Sequence, residues 1–211
     1  MPEITRLIGH IGRFELDFVE REVTPVPAMK LGIQLRLAGL PLSNTISILD
    51  ILGVDRCRST IHNWVQKADL QPAGGADPDH VAVDETVIQL NNERFWLCAA
   101  VDSATNRLLH VKLSPTRNQA ITEMFLTELR EKHLVDDAVF LVDSAPWLQA
   151  ALHRHGLDYR YEKHGNRNSV ERVFRELKRR TSQFSNCFSH AEADTAESRL
   201  QAFSFVWNQL I

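Results

Sequence analysis

Between Gln71 and Asp79 the chain reads QPAGGADPD, and the spacing of apolar residues differs on its two sides. Two prolines and two glycines without apolar periodicity mark this stretch as a linker. Before it, apolar residues recur at helical spacing; after it, they crowd into short runs rich in β-branched and aromatic residues. The chain therefore reads as an N-terminal helical module (1–70), a linker (71–79) and a C-terminal mixed domain (80–211). With 211 residues, 44% of them hydrophobic and 24% charged, it has material for a real core.

The helical periodicity predicts helices over 29–38 and 43–52, separated by Gly39-Leu40-Pro41, with Ser43 as the N-cap of the second. Gly53 ends that helix, and a third follows over about 58–68. Three short helices with tight breaks resemble a helix-turn-helix unit. Past the linker, HVAVDETVIQL (80–90), RFWLCAAV (94–101) and RLLHVKL (107–113) predict a three-stranded antiparallel meander. Next come an amphipathic helix (118–132), a wholly apolar strand (138–142), a helix (146–155), a short strand (158–161) and a basic helix (169–181). A closing helix (191–208) shows an apolar face of Leu200, Phe203, Val206 and Trp207. This order implies an α/β domain, a mixed sheet with flanking helices.

Several function classes drop out. No apolar run approaches the roughly 18 residues needed to span a bilayer. MPEITRLIGHIGRFELDF is too interrupted by charge to be a signal peptide, so the expected location is cytoplasmic, with no membrane partner. Cys57, Cys98 and Cys187 are odd in number and far apart, the pattern of buried reduced thiols rather than of a disulfide framework. His153 and His155 are not at the i, i+4 spacing of a helical zinc site. Asp143-Ser144-Ala145 lacks the glycines of a nucleophile elbow, and no phosphate-cradling glycine pattern occurs. A net charge of −3 argues against bulk coating of nucleic acid but leaves local basic surfaces open. Arginine outnumbers lysine, which fits a high-salt cell and a GC-rich genome equally well.

Three acids carry the chemistry. Asp84 interrupts the apolar strand VAVD, and Asp143 directly follows FLV. A carboxylate at such a place is costly unless something pairs with it, although a single strand-end Asp is more often a cap or turn former. Glu171 lies on the basic helix beside the stripe of Val170, Val173, Phe174 and Leu177, with Lys178 two turns further on the same face. Alone it reads as a solvated acid near a helix N-terminus. Together, two strand carboxylates and one helix carboxylate are the oxygen donors that Mg²⁺ prefers. Two such ions about 3.5–4 Å apart serve phosphoryl transfer.

Basic residues gather on the Glu171 side. Between Asp158 and Ser182, eight basic residues face four acidic ones, among them Arg167, Arg172, Arg175, Lys178, Arg179 and Arg180. A solvated helix would look similar; phosphate neutralisation beside a carboxylate site fits better. In the N-terminal module, Arg56, Arg58, Ser59, Thr60, His62, Asn63 and Lys67 suit phosphates or base edges, while Ile61 and Trp64 are expected to pack inward. A plain helical bundle has the same spacing.

VAVDET (81–86), FWLCAAVD (95–102), FLVDSA (140–145) and HGNRNSVERVFRELKRRT (164–181), with the helical region from LGIQLRL to QKADL, resemble transposases of the insertion-sequence-6 family, most closely its archaeal, haloarchaeal-like branch. The resemblance covers nearly the whole chain. It implies a ribonuclease-H-like fold and makes Asp84, Asp143 and Glu171 a DDE triad holding two Mg²⁺ ions, with Mn²⁺ as a substitute. It aligns Lys178 with the family's basic residue beyond the glutamate. It further implies double-stranded DNA partners (terminal inverted repeats and target), replicative transposition, a homodimer or larger synaptic assembly, and a nucleoid-associated prokaryotic setting. The Asp143-to-Glu171 interval is shorter than in better-known bacterial members, and Ser144-Ala145-Pro146-Trp147 has no matched counterpart. A catalytically dead DNA-binding regulator and a stand-alone nuclease of the same fold are the alternatives.

Overall fold

The computed structural model describes residues 14–18, 24–91, 93–162, 168–182 and 192–211, apart from the side chains of 178–182 and 210. Among the described residues three helices come first: α1 (Val26–Leu37), α2 (Leu42–Ile51) and α3 (Arg58–Lys67). The meander is β1 (His80–Leu90), β2 (Glu93–Asp102) and β3 (Leu108–Ser114). After it come α4 (Gln119–Lys132), β4 (Val139–Val142), α5 (Pro146–His155), β5 (Tyr159–Tyr161), α6 (Asn168–Ser182) and α7 (Ala193–Leu210). Among the described residues no helix is long and apolar enough to cross a membrane.

The helical module packs around Trp64 and Ile61 of α3, both fully buried. Gly32 of α1 lets the helices approach closely, since a Cβ there would lie 3.2 Å from the Trp64 ring. The start of α2 differs from the expected Ser43 cap. Pro41 is the N-cap residue, and its carbonyl takes the amide and the hydroxyl of Thr45. The ring of Pro41 fixes its φ and leaves Ser43 inside the first turn.

In the sheet, β1 pairs antiparallel with β2 from Val81 opposite Asp102 to Leu90 opposite Glu93, and β2 pairs antiparallel with β3. β4 runs parallel to β1, with His80, Val81 and Ala82 beside Val139, Phe140 and Leu141; β5 runs parallel to β4. The spatial order is β3-β2-β1-β4-β5. Three antiparallel strands followed by two parallel ones, joined by helical crossovers, form the expected mixed sheet with flanking helices. One face, with Val81, Val83, Phe140 and Val142, is covered by Phe125, Leu126 and Leu129 of α4 and Leu148 and Leu152 of α5. The other, with Ala82, Ala99 and Leu141, is covered by Val170, Val173, Phe174 and Leu177 of α6 and Leu200, Phe203 and Trp207 of α7.

α7 uses two sides. Leu200, Phe203 and Trp207 face the sheet, whereas Ala202 and Val206 enter the core of the helical module beside Ile33, Leu49 and Trp64. The single apolar face expected from the sequence is thus divided, because a helix buried on both sides shows no single stripe. α7 also covers the edge strand β3. The Asn208 side chain bonds both the amide and the carbonyl of Leu108 at 2.8 Å, and Gln201 Nε2 donates to the Val111 carbonyl at 2.7 Å. Polar groups on an otherwise open sheet edge are satisfied in this way.

The linker is held down. Gly75 N donates to the Lys132 carbonyl at 2.7 Å, Ala76 N to His133 Nδ1, and Leu134 N to the Ala76 carbonyl. It therefore follows the C-terminal end of α4, satisfying carbonyls that a helix end leaves unbonded.

Candidate active site

Strand register brings Asp84 and Asp143 together. Ala82 and Leu141 are neighbours on parallel strands and both face α6. Successive side chains alternate between faces, so Asp84, two residues past Ala82, turns to that face, and Asp143, the first residue past β4 and two past Leu141, comes beside it in one cleft. β4 ends at Val142 while β1 continues, which leaves an opening at the carboxyl end of β4. A cleft of about 260 Å³ occupies it, lined by Asp84, Glu85, Arg117, Asp143 and residues 144–148. Both aspartates are half-buried. Asp84 Oδ1 accepts from the Glu85 amide at 2.8 Å, and Asp143 Oδ1 from the Ala145 amide at 2.9 Å, one residue before α5 begins.

The cleft also contains residues that sequence reasoning missed. Glu85, opposite Cys98 in the β1–β2 register, points to the α5 side of the sheet. Its Oε1 accepts from Trp147 Nε1 at 3.2 Å, and Oε2 lies 3.9 Å from Arg117. Burial pushes the Glu85 carboxyl above its ordinary value; Trp147 and Arg117 oppose this, and Asp143 and Asp84 add to it. The Arg117 guanidinium stacks 3.9 Å from the ring centre of Trp96 and 4.5 Å from that of Trp147. The available signal was Trp147, four positions past Asp143.

Glu171 is placed differently. Val170, Val173, Phe174 and Leu177 are buried against the face that carries Asp84 and Asp143, and Glu171 lies exposed at the flank of that stripe. Among the described residues, no group of three or more histidine, cysteine or acidic side chains is assembled to hold a metal ion. The structure therefore joins Asp84 to Asp143 and leaves Glu171 on the helix over the same face, outside the cleft lining. Arg167 lies outside the described residues, as do the side chains of Lys178, Arg179 and Arg180. Arg172 and Arg175 are exposed, and Arg172 donates to Asn106 Oδ1 at 2.9 Å in the β2–β3 turn.

On α3, Arg58, Ser59, His62, Asn63 and Lys67 are exposed and Thr60 is half-buried. Lys67 sits 5.7 Å from the Phe18 ring. Arg56 is half-buried and directs Nε and a terminal nitrogen at Thr24 Oγ1, at 3.0 and 2.7 Å. Although His62 is exposed, partial desolvation of its ring, with Arg199 and Arg36 nearby, lowers its pKa. The expectation of buried thiols fails at Cys57, which is exposed at the N-cap of α3, beyond the reach of the Trp64 core. Hydrogen bonds with Ser59 and Thr60 lower its pKa to about 7. Cys98 is half-buried and Cys187 lies outside the described residues.

The model of the DDE domain family matches residues 79–209. An uncharacterised protein of Methanocaldococcus jannaschii is 33% identical over 129 residues, which are 61% of this chain and 60% of that protein. The chain thus spans three fifths of the curated relative it matches. Among solved structures, the HTLV-2 integrase catalytic core domain in complex with magnesium (dimeric form) gives a TM-score of 0.47 at 13% identity, covering 62% of this chain and 86% of that one. The BIV integrase catalytic core domain gives 0.45 at 16% identity, covering 60% and 82%.

Proposed function

The chain belongs to the DDE-domain family of transposases, and on that premise we propose that it cuts and joins DNA strands by divalent-metal-dependent phosphoryl transfer. The observation that carries this reading is the meeting of Asp84 and Asp143, from neighbouring parallel strands, in one cleft of a sheet covered by the helix that bears Glu171. Asp84 and Asp143 fit a hard cation as oxygen donors with a common outlook, and Glu171 is the third donor of the proposed set. Mg²⁺, with Mn²⁺ as substitute, would be held there as a pair. When bound, the ions neutralise charge at the entering and leaving oxygens of the phosphodiester.

The residues of the chain supply the rest. The Ala145 amide fixes the Asp143 carboxylate at the mouth of α5, and the Glu85 amide fixes that of Asp84. Water attacks first and frees a 3′-hydroxyl; that hydroxyl then attacks target DNA with the same in-line geometry. Lys178 contacts a phosphate near the cut, with Arg167, Arg172, Arg175, Arg179 and Arg180 lining the path of the DNA. The exposed side of α3, through Arg58, Ser59, His62, Asn63 and Lys67, with Thr60 and Arg56 at its start, reads terminal inverted repeats as a helix-turn-helix.

Residues 1–70 form the reading module, 71–79 the connection and 80–211 the catalytic domain, with α7 packed against both parts. We place the chain in the archaeal branch of the insertion-sequence-6 family, acting replicatively, as a dimer or larger assembly on nucleoid DNA in the cytoplasm.

The test is a strand-transfer assay with purified protein, Mg²⁺ and labelled DNA from either side of the gene. Joined product supports the proposal. Cleavage without joining would indicate a nuclease, and binding alone a regulator that has lost its chemistry.

A further inference from the structure

The cleft beside Asp84 and Asp143 is rich in charged groups. Its lining carries three carboxylates, Asp84, Glu85 and Asp143, and among the described lining residues Arg117 is the one cation. A DNA strand entering there brings more negative charge, so a fixed positive group has an evident place. Arg117 stands in the β3–α4 loop, next to Asn118, whose side chain caps α4. Trp96 lies on the Glu85 side of the sheet, because Trp96 and Cys98 face Val87 and Glu85 across the β1–β2 pair. Trp147 reaches the same side from the first turn of α5, anchored to Glu85. The guanidinium lies over both indoles, at 3.9 and 4.5 Å from their centres.

A guanidinium bonds through its in-plane N–H groups, which the two ring contacts do not use, and these match the two oxygens of a phosphate. Among the described residues Arg117 makes no hydrogen bond; its contact with Glu85, at 3.9 Å, is a loose ion pair. Its side chain keeps 41% of its surface accessible although both ring faces are in place. Two ring contacts restrict the side chain, so less of its freedom remains to be lost when an anion arrives.

We propose that Arg117, held against Trp96 and Trp147, binds a backbone phosphate of the DNA strand that enters the Asp84/Asp143 cleft and sets the position of that strand. This rests on the reading of the cleft as a DNA site. It adds a phosphate contact on the α5 side, opposite the basic residues of α6.

The experiment measures binding of full-length protein to a fluorescein-labelled mixed-sequence DNA duplex across a salt series, for the wild type, R117Q, R117A and R117K. Each phosphate contact adds about 0.9 to the slope of log K against log salt. R117Q and R117A are expected to lower the slope by that amount and R117K to restore it. Circular dichroism checks the fold, and R117Q, which keeps most of the side-chain bulk, decides if R117A unfolds. An R117Q slope equal to the wild-type slope overturns the inference. Strand cleavage, measured in parallel, separates the two claims. Wild-type cleavage with an unchanged R117Q slope defeats the inference alone. A lowered slope in a protein that cuts no DNA upholds the phosphate contact while the proposed activity fails.

Discussion

Asp84 and Asp143 each stand two residues beyond the paired Ala82 and Leu141 of neighbouring parallel strands, and both line one cleft. That relationship follows from one register. A slip of one residue between β1 and β4 would turn one aspartate to the α5 side and part the two. The apolar residues on both faces, from Val81 and Phe140 on one to Ala82 and Leu141 on the other, hold the register in place.

Glu171 separates stability from chemistry. It is exposed at the flank of α6, so Glu171→Gln is expected to change folding stability by no more than about 0.5 kcal/mol. Loss of strand cleavage, by roughly 10³-fold or more, is expected in the same variant if it serves as the third donor. Denaturant melts and a cleavage assay on one preparation check both numbers. Full activity would remove Glu171 from the site.

Trp64 holds the helical module together. It is fully buried against α1, α2 and α7, and Trp64→Ala is expected to cost about 3–5 kcal/mol. Because α7 belongs to that core and also covers β3, the loss should appear as one cooperative transition in circular dichroism. Two separate transitions would show that the sheet domain is stable without the helices.

Gly74 is required for a steric reason. A Cβ there would lie 2.8 Å from the Lys132 carbonyl oxygen, a backbone atom that moves only with the end of α4. Gly74→Ala is expected to destabilise the protein by about 1–3 kcal/mol, read from thermal melts. Gly53→Ala tests a different effect. Its Cβ would meet nothing within 4 Å, and only its φ of +75° penalises the change.

His110 makes stability fall with acid. Burial, with Lys132 and Lys112 nearby, lowers its pKa to about 4 from an ordinary 6.5, against the pull of Glu128. The unfolded chain takes up the proton below about 6.5 and the folded chain only near 4, so the contribution is full above 6.5 and is lost progressively down to about 4. His110→Gln is expected to flatten the dependence of melting temperature on pH across that window. An unchanged slope would assign the effect to other groups, such as His133, whose pKa is also lowered by burial.

Much of this molecule was legible in its sequence. The periods on either side of QPAGGADPD located the three N-terminal helices and five strands of the described residues, because alternation and helical spacing are local properties. Val170, Val173, Phe174 and Leu177 were assigned to the core correctly for the same reason. The divided surface of α7 was not legible, since two buried stripes merge into one apolar list. Ser43 was misassigned because Pro41 sets the helix start without a side-chain bond. The Arg117 stack joins a loop, a strand and a helix, and nothing in the spacing of residues 96, 117 and 147 connects them.

The most direct test of the central claim is Mg²⁺-dependent strand joining by the wild type and by Asp143→Ala, at protein concentrations matched for DNA binding. The account expects joined product from the wild type, none when EDTA removes the metal, and a loss of roughly 10³-fold or more in the variant while DNA binding persists. Equal joining by the two proteins would contradict it.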